Sequence, residues 1–84
     1  MVDILPFNEK VIEKIKKYRL QKRFNKQLAL FSQNPYYPSL HTELLEPKEY
    51  GIYSFRIDIR FRALFIYHDD RSGVEIINVT LHYK

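Results

Sequence analysis

Arginines stand inside apolar stretches in the last third of the chain. Arg56 belongs to the stretch 51–57 (GIYSFRI), Arg62 belongs to the stretch 61–67 (FRALFIY), and a His82-Tyr83 pair follows a third apolar stretch. A small domain has little use for strand arginines if it needs only stability. A guanidinium group is always charged and binds phosphate oxygens through a fork of donors. These residues therefore indicate phosphate chemistry, and RNA chemistry in particular.

Cleavage of RNA by its own 2′-hydroxyl group needs a base, an acid and cations. The base takes the 2′-OH proton, the cations offset charge that builds on phosphorus, and the acid protonates the leaving 5′-oxygen. Histidine titrates near neutrality, so His82 is the natural acid. Arg62 and Arg56 would bind the scissile phosphate, and a carboxylate within residues 41–49 would be the base. Tyr83 could stack on a nucleobase or hold the substrate through its hydroxyl.

The same residues also have plainer explanations. Arg62 could form a cross-strand ion pair with Asp58 or Glu75, which at an exposed site contributes only ~0–1 kcal/mol. The position of Arg62 inside an apolar strand favours a functional role over that pair. His82 could be a terminal histidine without a role. The separations of the three histidines match no common zinc-ligand spacing, so we expect no metal and no other cofactor.

Apolar periodicity predicts two helices followed by a small sheet. Asn8 is the predicted N-cap of the first helix, and the second apolar stripe ends before Pro35. The helices could meet in a bend near residues 17–19 or continue as one. The predicted strands are 52–57, 61–68 and 74–83, with a turn at 58–60, a hairpin loop at 69–73 and a further short strand at 2–5.

Alternation along these strands places the reactive side chains on one face. The apolar side of the last strand carries Ile77, Val79 and Leu81. If the apolar sides pack on the helices, Arg56, Arg62 and His82 lie together on the opposite face. We therefore predict a single α+β domain over residues 1–84, with two N-terminal helices packed on a small, mostly antiparallel sheet.

The composition fits such a domain and limits its surroundings. The 84 residues carry a net charge of +4 and include no cysteine, which excludes disulfides and thiolate metal sites. Basic residues concentrate between residues 10 and 26, a pattern that suits a polyanion or an acidic partner, or is simply a solvated helix face. The sequence has no secretory signal pattern and no membrane-length apolar run, so we expect a cytoplasmic protein.

The order and spacing of four motifs resemble the RelE/ParE toxin superfamily. The motifs are Asn34-Pro35-x-x-Pro38-Ser39-Leu40, then 51–57 (GIYSFRI), then 61–65 (FRALF), then His82-Tyr83. Within that superfamily the chain looks most like YoeB-type mRNA interferase toxins, which carry a similar Gly-aromatic-Ser-x-Arg-Ile strand and end on His-Tyr. The resemblance implies helices over an antiparallel sheet, mRNA cleavage in the ribosomal A site and an antitoxin that neutralises the toxin.

The resemblance also implies roles for individual residues. It places the general base on Glu43, with Glu46 as the rival carboxylate. It places the phosphate-binding arginine on Arg62, and the general acid and its neighbour on His82 and Tyr83.

Three further basic residues are RNA-binding candidates. Arg56 matches a strand arginine of the family. RelE-type members rely on lysines and arginines near Lys48, and Arg60 lies in the predicted turn before the second strand.

The predicted function is that of a type II toxin acting as a ribosome-dependent, metal-independent mRNA endonuclease. Its expected partners are a cognate antitoxin and the ribosome with its mRNA, and a second copy in a homodimer is a further candidate partner. Two alternatives stay open: a ParE-like toxin that binds DNA gyrase and cuts no RNA, and an inactive homologue that only binds an antitoxin.

Overall fold

Two helices pack against one face of a five-stranded sheet in the computed structural model, which describes residues 2–81. The helices are α1 (Glu9–Lys17) and α2 (Gln21–Gln33). The strands are β1 (Asp3–Ile4), β2 (Glu43–Leu44), β3 (Tyr53–Arg56), β4 (Phe61–His68) and β5 (Gly73–Leu81). Single 3₁₀ turns cover Pro38–Leu40 and Lys48–Tyr50. The predicted α+β class is confirmed.

The strand order is β1-β5-β4-β3-β2, and every neighbouring pair is antiparallel except β1 with β5. Consecutive strands from β2 to β5 are sequence neighbours joined by short connections, which favours antiparallel pairing. The chain passes through both helices before it returns to the sheet, and β1 pairs in parallel with the last strand. The predicted mostly antiparallel sheet and the short strand near the start are both confirmed.

The two helices are separate and meet in a tight bend. The Asn8 side chain accepts a hydrogen bond from the Val11 N–H at 2.9 Å, which confirms the predicted N-cap. After α1, Arg19 adopts a left-handed backbone conformation with φ of 55°, and Leu20 is buried at the start of α2. The sequence was compatible with either a bend or one continuous helix, and the structure shows the bend.

Phenylalanine rings join the helices to the sheet. The Phe31 ring of α2 lies 4.7 Å from the Phe55 ring of β3 and 4.8 Å from the Phe65 ring of β4, centroid to centroid. All three side chains are fully buried. Because side chains alternate along a strand, Ser54, Arg56 and Arg62 point to the opposite face, which carries the candidate site.

One prediction for the last strand is wrong. Ile77 was expected on the helix-packed side, but the pairing of β4 with β5 shifts between Leu64 and Phe65, so that Phe65 faces Ile76 and Ile77 is an extra residue. The bulge puts Ile76 in the core, 1% exposed, and leaves Ile77 half-buried. Val79 packs in the core as predicted, whereas Leu81 is exposed.

Candidate active site

Arg62 is a buried cation at the centre of the candidate site. It lies in the middle of the sheet on β4, where Arg56 of β3 and Thr80 of β5 flank it in register. Only 6% of the residue is exposed. Charged side chains are almost never buried to this extent unless other groups pair with them, so the surroundings of Arg62 need an explanation.

Three neighbours hold the Arg62 guanidinium. Nε donates a hydrogen bond to Ser54 Oγ at 2.9 Å, and Nη2 donates to the carbonyl oxygen of His41. Nη2 also lies 3.9 Å from Glu43 Oε1. Burial lowers the pKa of Arg62, the negative charge of Glu43 raises it and the positive charge of Arg56 lowers it. The group nevertheless stays cationic, because arginine does not lose its proton under ordinary conditions.

Glu43 is positioned by the edge strand β2. It pairs in register with Ser54, and its side chain is 55% exposed, because β2 lies at the edge of the sheet. The loop before β2 is fixed, since the Thr42 hydroxyl donates to the Pro35 carbonyl and His41 accepts from Arg62. The structure therefore brings the predicted base and the predicted phosphate-binding arginine together.

A shallow pocket of about 200 Å³ opens beside these two side chains. Its wall is part polar and part apolar, formed by Glu43, Leu45, Ser54, Arg62, Leu64, Thr80 and Leu81. A carboxylate, a guanidinium and the Thr80 hydroxyl beside leucines suit a ligand with an anionic group and an apolar portion. Glu46, the rival base, is exposed in the loop after β2 and does not line this pocket.

Ser54 and Thr80 were not singled out from the sequence as site residues. Both contribute to the pocket wall through the side of the sheet that carries Arg62. The signal that could have found them was present, because strand alternation already placed both on the face of the predicted arginines. The His41 carbonyl, by contrast, is a backbone group and leaves no signature in residue types.

The other predicted RNA-binding residues lie at different places. Arg56 is half-buried next to Arg62 in the sheet. Lys48 is exposed on a 3₁₀ turn, and Arg60 lies over the Phe61 ring at 5.7 Å, so neither lines the pocket. His82 and Tyr83, the predicted acid and its neighbour, lie outside the described residues.

The ion pairs considered as a plain role for Arg62 do not form in the structure. Asp58 instead lies 3.5 Å from Arg23, and Glu75 lies 2.9 Å from His68. The acid beside Arg62 is Glu43, which is half exposed and so gains little from pairing in water. Among residues 2–81, no strong ion pair accounts for the burial of Arg62.

Residues 2–81 contain neither a metal-binding cluster nor a membrane-spanning helix. Within that range no three histidine, aspartate or glutamate side chains are grouped so that they could hold a metal ion. No helix of the range is long and apolar enough to cross a membrane.

Comparisons with known proteins show relatives in structure only. No protein-family model matches the chain, and no curated protein matches it in sequence. A YoeB/ParE toxin from Agrobacterium tumefaciens superposes with a TM-score of 0.74 at 17% identity, over 98% of this chain and 100% of that one.

Two solved structures from Staphylococcus aureus are also similar. The heterotetrameric YoeB-YefM toxin-antitoxin complex contains a chain with a TM-score of 0.71 and 22% identity, covering 99% of both chains. A YoeB dimer gives 0.67 and 23% identity, covering 98% of both. These matches span the whole domain and confirm the predicted resemblance at the level of the fold. The chain has the fold of the YoeB/ParE toxins.

Proposed function

We propose that this protein is the toxin of a type II toxin–antitoxin system and that it cleaves mRNA on the ribosome. One observation carries the proposal: a buried arginine, fixed by neutral groups, lies 3.9 Å from a half-exposed carboxylate in a pocket of a YoeB/ParE toxin fold. Within the part of the chain that the structure describes, this cation has no strong ion pair, which suits it to binding an anion that arrives from solution.

In the proposed reaction, Glu43 takes the proton of a ribose 2′-hydroxyl. The 2′-oxygen then attacks the adjacent phosphorus, and a new P–O2′ bond forms as the P–O5′ bond breaks. Arg62 binds the non-bridging oxygens as their negative charge grows, and the nearby cation of Arg56 adds to this stabilisation. The products are a 2′,3′-cyclic phosphate and a free 5′-hydroxyl.

His82 is the proposed acid that protonates the leaving 5′-oxygen, and Tyr83 is the proposed stacking or anchoring residue. Both roles come from the resemblance to YoeB-type toxins and from the pattern of the last strand. The proposed chemistry uses no metal, because the carboxylate, the guanidinium and the imidazole together supply base, charge stabilisation and acid.

The proposed partners follow from the relatives and from the surface charge. The YoeB-YefM complex and the YoeB dimer support an antitoxin and a second copy of this chain as partners. The helices present exposed cations suited to the phosphates of ribosomal RNA, namely Lys10, Lys16, Lys17, Lys22 and Lys26. Binding of this kind should weaken as the salt concentration rises.

Primer extension on a reporter mRNA with purified ribosomes tests the proposal. Wild-type protein should produce discrete cuts in the A-site codon, and Glu43→Gln, Arg62→Leu and His82→Ala should each remove them. Glu49→Gln is the matched control, because Glu49 is an exposed acid away from the pocket, and it should cut like the wild type.

Two results would contradict the proposal. Growth arrest and inhibited gyrase supercoiling without any mRNA cleavage would indicate a ParE-like toxin. Induced expression of the chain without growth arrest would indicate an inactive homologue.

A further inference from the structure

Ser54 is a polar side chain in a fully enclosed position on β3. It is 1% exposed, and among residues 2–81 the buried polar or charged residues are Gln27, Ser54 and Arg62. Its Oγ accepts the hydrogen bond from Arg62 Nε at 2.9 Å. A buried hydroxyl that faces the charged group of the candidate site acts on that group, whatever else it does for the fold.

The contacts of Arg62 leave one terminal nitrogen of its guanidinium to a ligand. A guanidinium offers two edges for paired hydrogen bonds: the side formed by Nε and one terminal nitrogen, and the end formed by the two terminal nitrogens. Ser54 takes Nε, while the His41 carbonyl bonds to Nη2 and Glu43 lies 3.9 Å from the same nitrogen. Among residues 2–81 none of these contacts uses Nη1, so the terminal edge keeps donors that a ligand in the pocket can bind.

Two fixed points also set the plane of the group. Rotation of the guanidinium about the Cδ–Nε bond would move both the Nε hydrogen and Nη2 away from their acceptors, so the two hydrogen bonds together restrict that rotation more than either one alone. The plane is then set before a substrate arrives, and preorganised donors cost no reorganisation during the reaction.

We infer that Ser54 is a positioning residue, which makes Arg62 present Nη1, at the terminal edge of its guanidinium, to the phosphate of the scissile linkage. The inference rests on the proposed function, and it deepens it by naming the orientation in which the phosphate is bound. Ser54 itself does not touch the substrate and acts through Arg62.

Kinetics of Ser54→Ala separate this role from a structural one. Displacement of a catalytic group by about 1 Å can cost about 100-fold in rate, so we expect kcat to fall about 10- to 100-fold while KM changes less than about threefold. Ser54→Thr keeps the hydroxyl and should recover most of kcat. Ser32→Ala is the matched control, since within residues 2–81 its hydroxyl bonds only to the Ala29 carbonyl on α2, and it should behave like the wild type.

A double-mutant cycle gives the sharper result. In an Arg62→Met background, Ser54→Ala should cause no further fall in cleavage, because its effect is transmitted through the guanidinium. Equal falls of kcat in both backgrounds would overturn the inference. So would a Ser54→Ala variant that is folded by circular dichroism and has wild-type kcat.

A nuclear magnetic resonance measurement keeps this inference distinct from the proposed function. Solvent exchange of the Arg62 Nε–H should be slow in the wild type and at least about tenfold faster in Ser54→Ala. Unchanged exchange overturns the positioning role. If exchange is faster in Ser54→Ala but the wild type cuts no mRNA, the positioning of the guanidinium by Ser54 is supported. Only the proposed cleavage reaction is then refuted.

Discussion

Replacing Arg62 with methionine should separate the catalytic value of the guanidinium from its contribution to stability. Methionine has a similar length and can fill the same space, but it removes the charge and the donors. Hydrogen bonds from a charged donor contribute about 1.5–3 kcal/mol each, and Arg62 makes one with Ser54 and one with His41. Its pair with the half-exposed Glu43 adds only ~0–1 kcal/mol.

Against these gains stands the cost of burying the charge. Removing a guanidinium from water costs several kcal/mol even after the protein relaxes. Burial is the largest influence on the pKa of Arg62 and lowers it, so desolvation outweighs the attraction of Glu43. The two sides nearly cancel. We expect Arg62→Met to change the free energy of unfolding by no more than about 1.5 kcal/mol in either direction, while cleavage falls at least about 100-fold.

Urea unfolding followed by circular dichroism measures the first quantity, and ribosome-dependent cleavage measures the second. Arg71→Met is the control: Arg71 is an exposed cation that lies 4.9 Å from the Tyr67 ring and donates to the Tyr53 hydroxyl at 3.0 Å, and its loss should leave cleavage unchanged. A destabilisation of about 3 kcal/mol or more by Arg62→Met would instead show that Arg62 is a structural residue, because that is the loss expected when a buried ion pair is broken.

Three further predictions concern other residues. Glu43→Gln should lower ribosome-dependent cleavage at least about 100-fold while Glu46→Gln cuts like the wild type, and the reverse result would move the base to Glu46. Gln27→Leu removes Nε2, which donates hydrogen bonds to two backbone carbonyls at 2.8 Å and 3.2 Å. Urea unfolding should therefore show a free energy of unfolding lower by about 2–4 kcal/mol, and a decrease below about 1 kcal/mol would contradict this. Burial and the neighbouring Tyr36 raise the pKa of Tyr67 from 10.0 to about 12. The folded protein then holds this proton more tightly than the unfolded chain, so its stability should fall between those pH values, and Tyr67→Phe should remove both that fall and an absorbance step near pH 12.

Helices and strands were predictable from the sequence where the apolar pattern extended over several residues. The N-cap at Asn8 follows from residue type and helical spacing over a few residues. Strand alternation likewise predicted a shared face for Arg56 and Arg62, which are register partners on β3 and β4. The bulge at Ile77 has no glycine or proline to mark it. It arises from how β4 and β5 pack on the core, which a local pattern does not contain.

The candidate site was predictable in part for the same reason. Strand alternation predicted the face that carries Arg62, but β2 has only two residues and its stretch remained unassigned from the sequence. The closeness of Glu43 to Arg62 was therefore implied by the resemblance alone. The Ser54 and His41 contacts that fix the guanidinium depend on tertiary structure, because they join segments that are 8 and 21 residues away from Arg62.

In the proposed reaction, the nucleophile is the 2′-hydroxyl next to the scissile phosphate. The most direct test is cleavage of a ribosome-bound mRNA that carries a single 2′-deoxynucleotide at the mapped cut site, beside the all-ribose mRNA. We expect the all-ribose mRNA to be cut and to yield a 2′,3′-cyclic phosphate, and the deoxy-substituted mRNA to stay intact at that position. Equal cleavage of both mRNAs would contradict attack by the 2′-hydroxyl, because that nucleophile is absent from one of them.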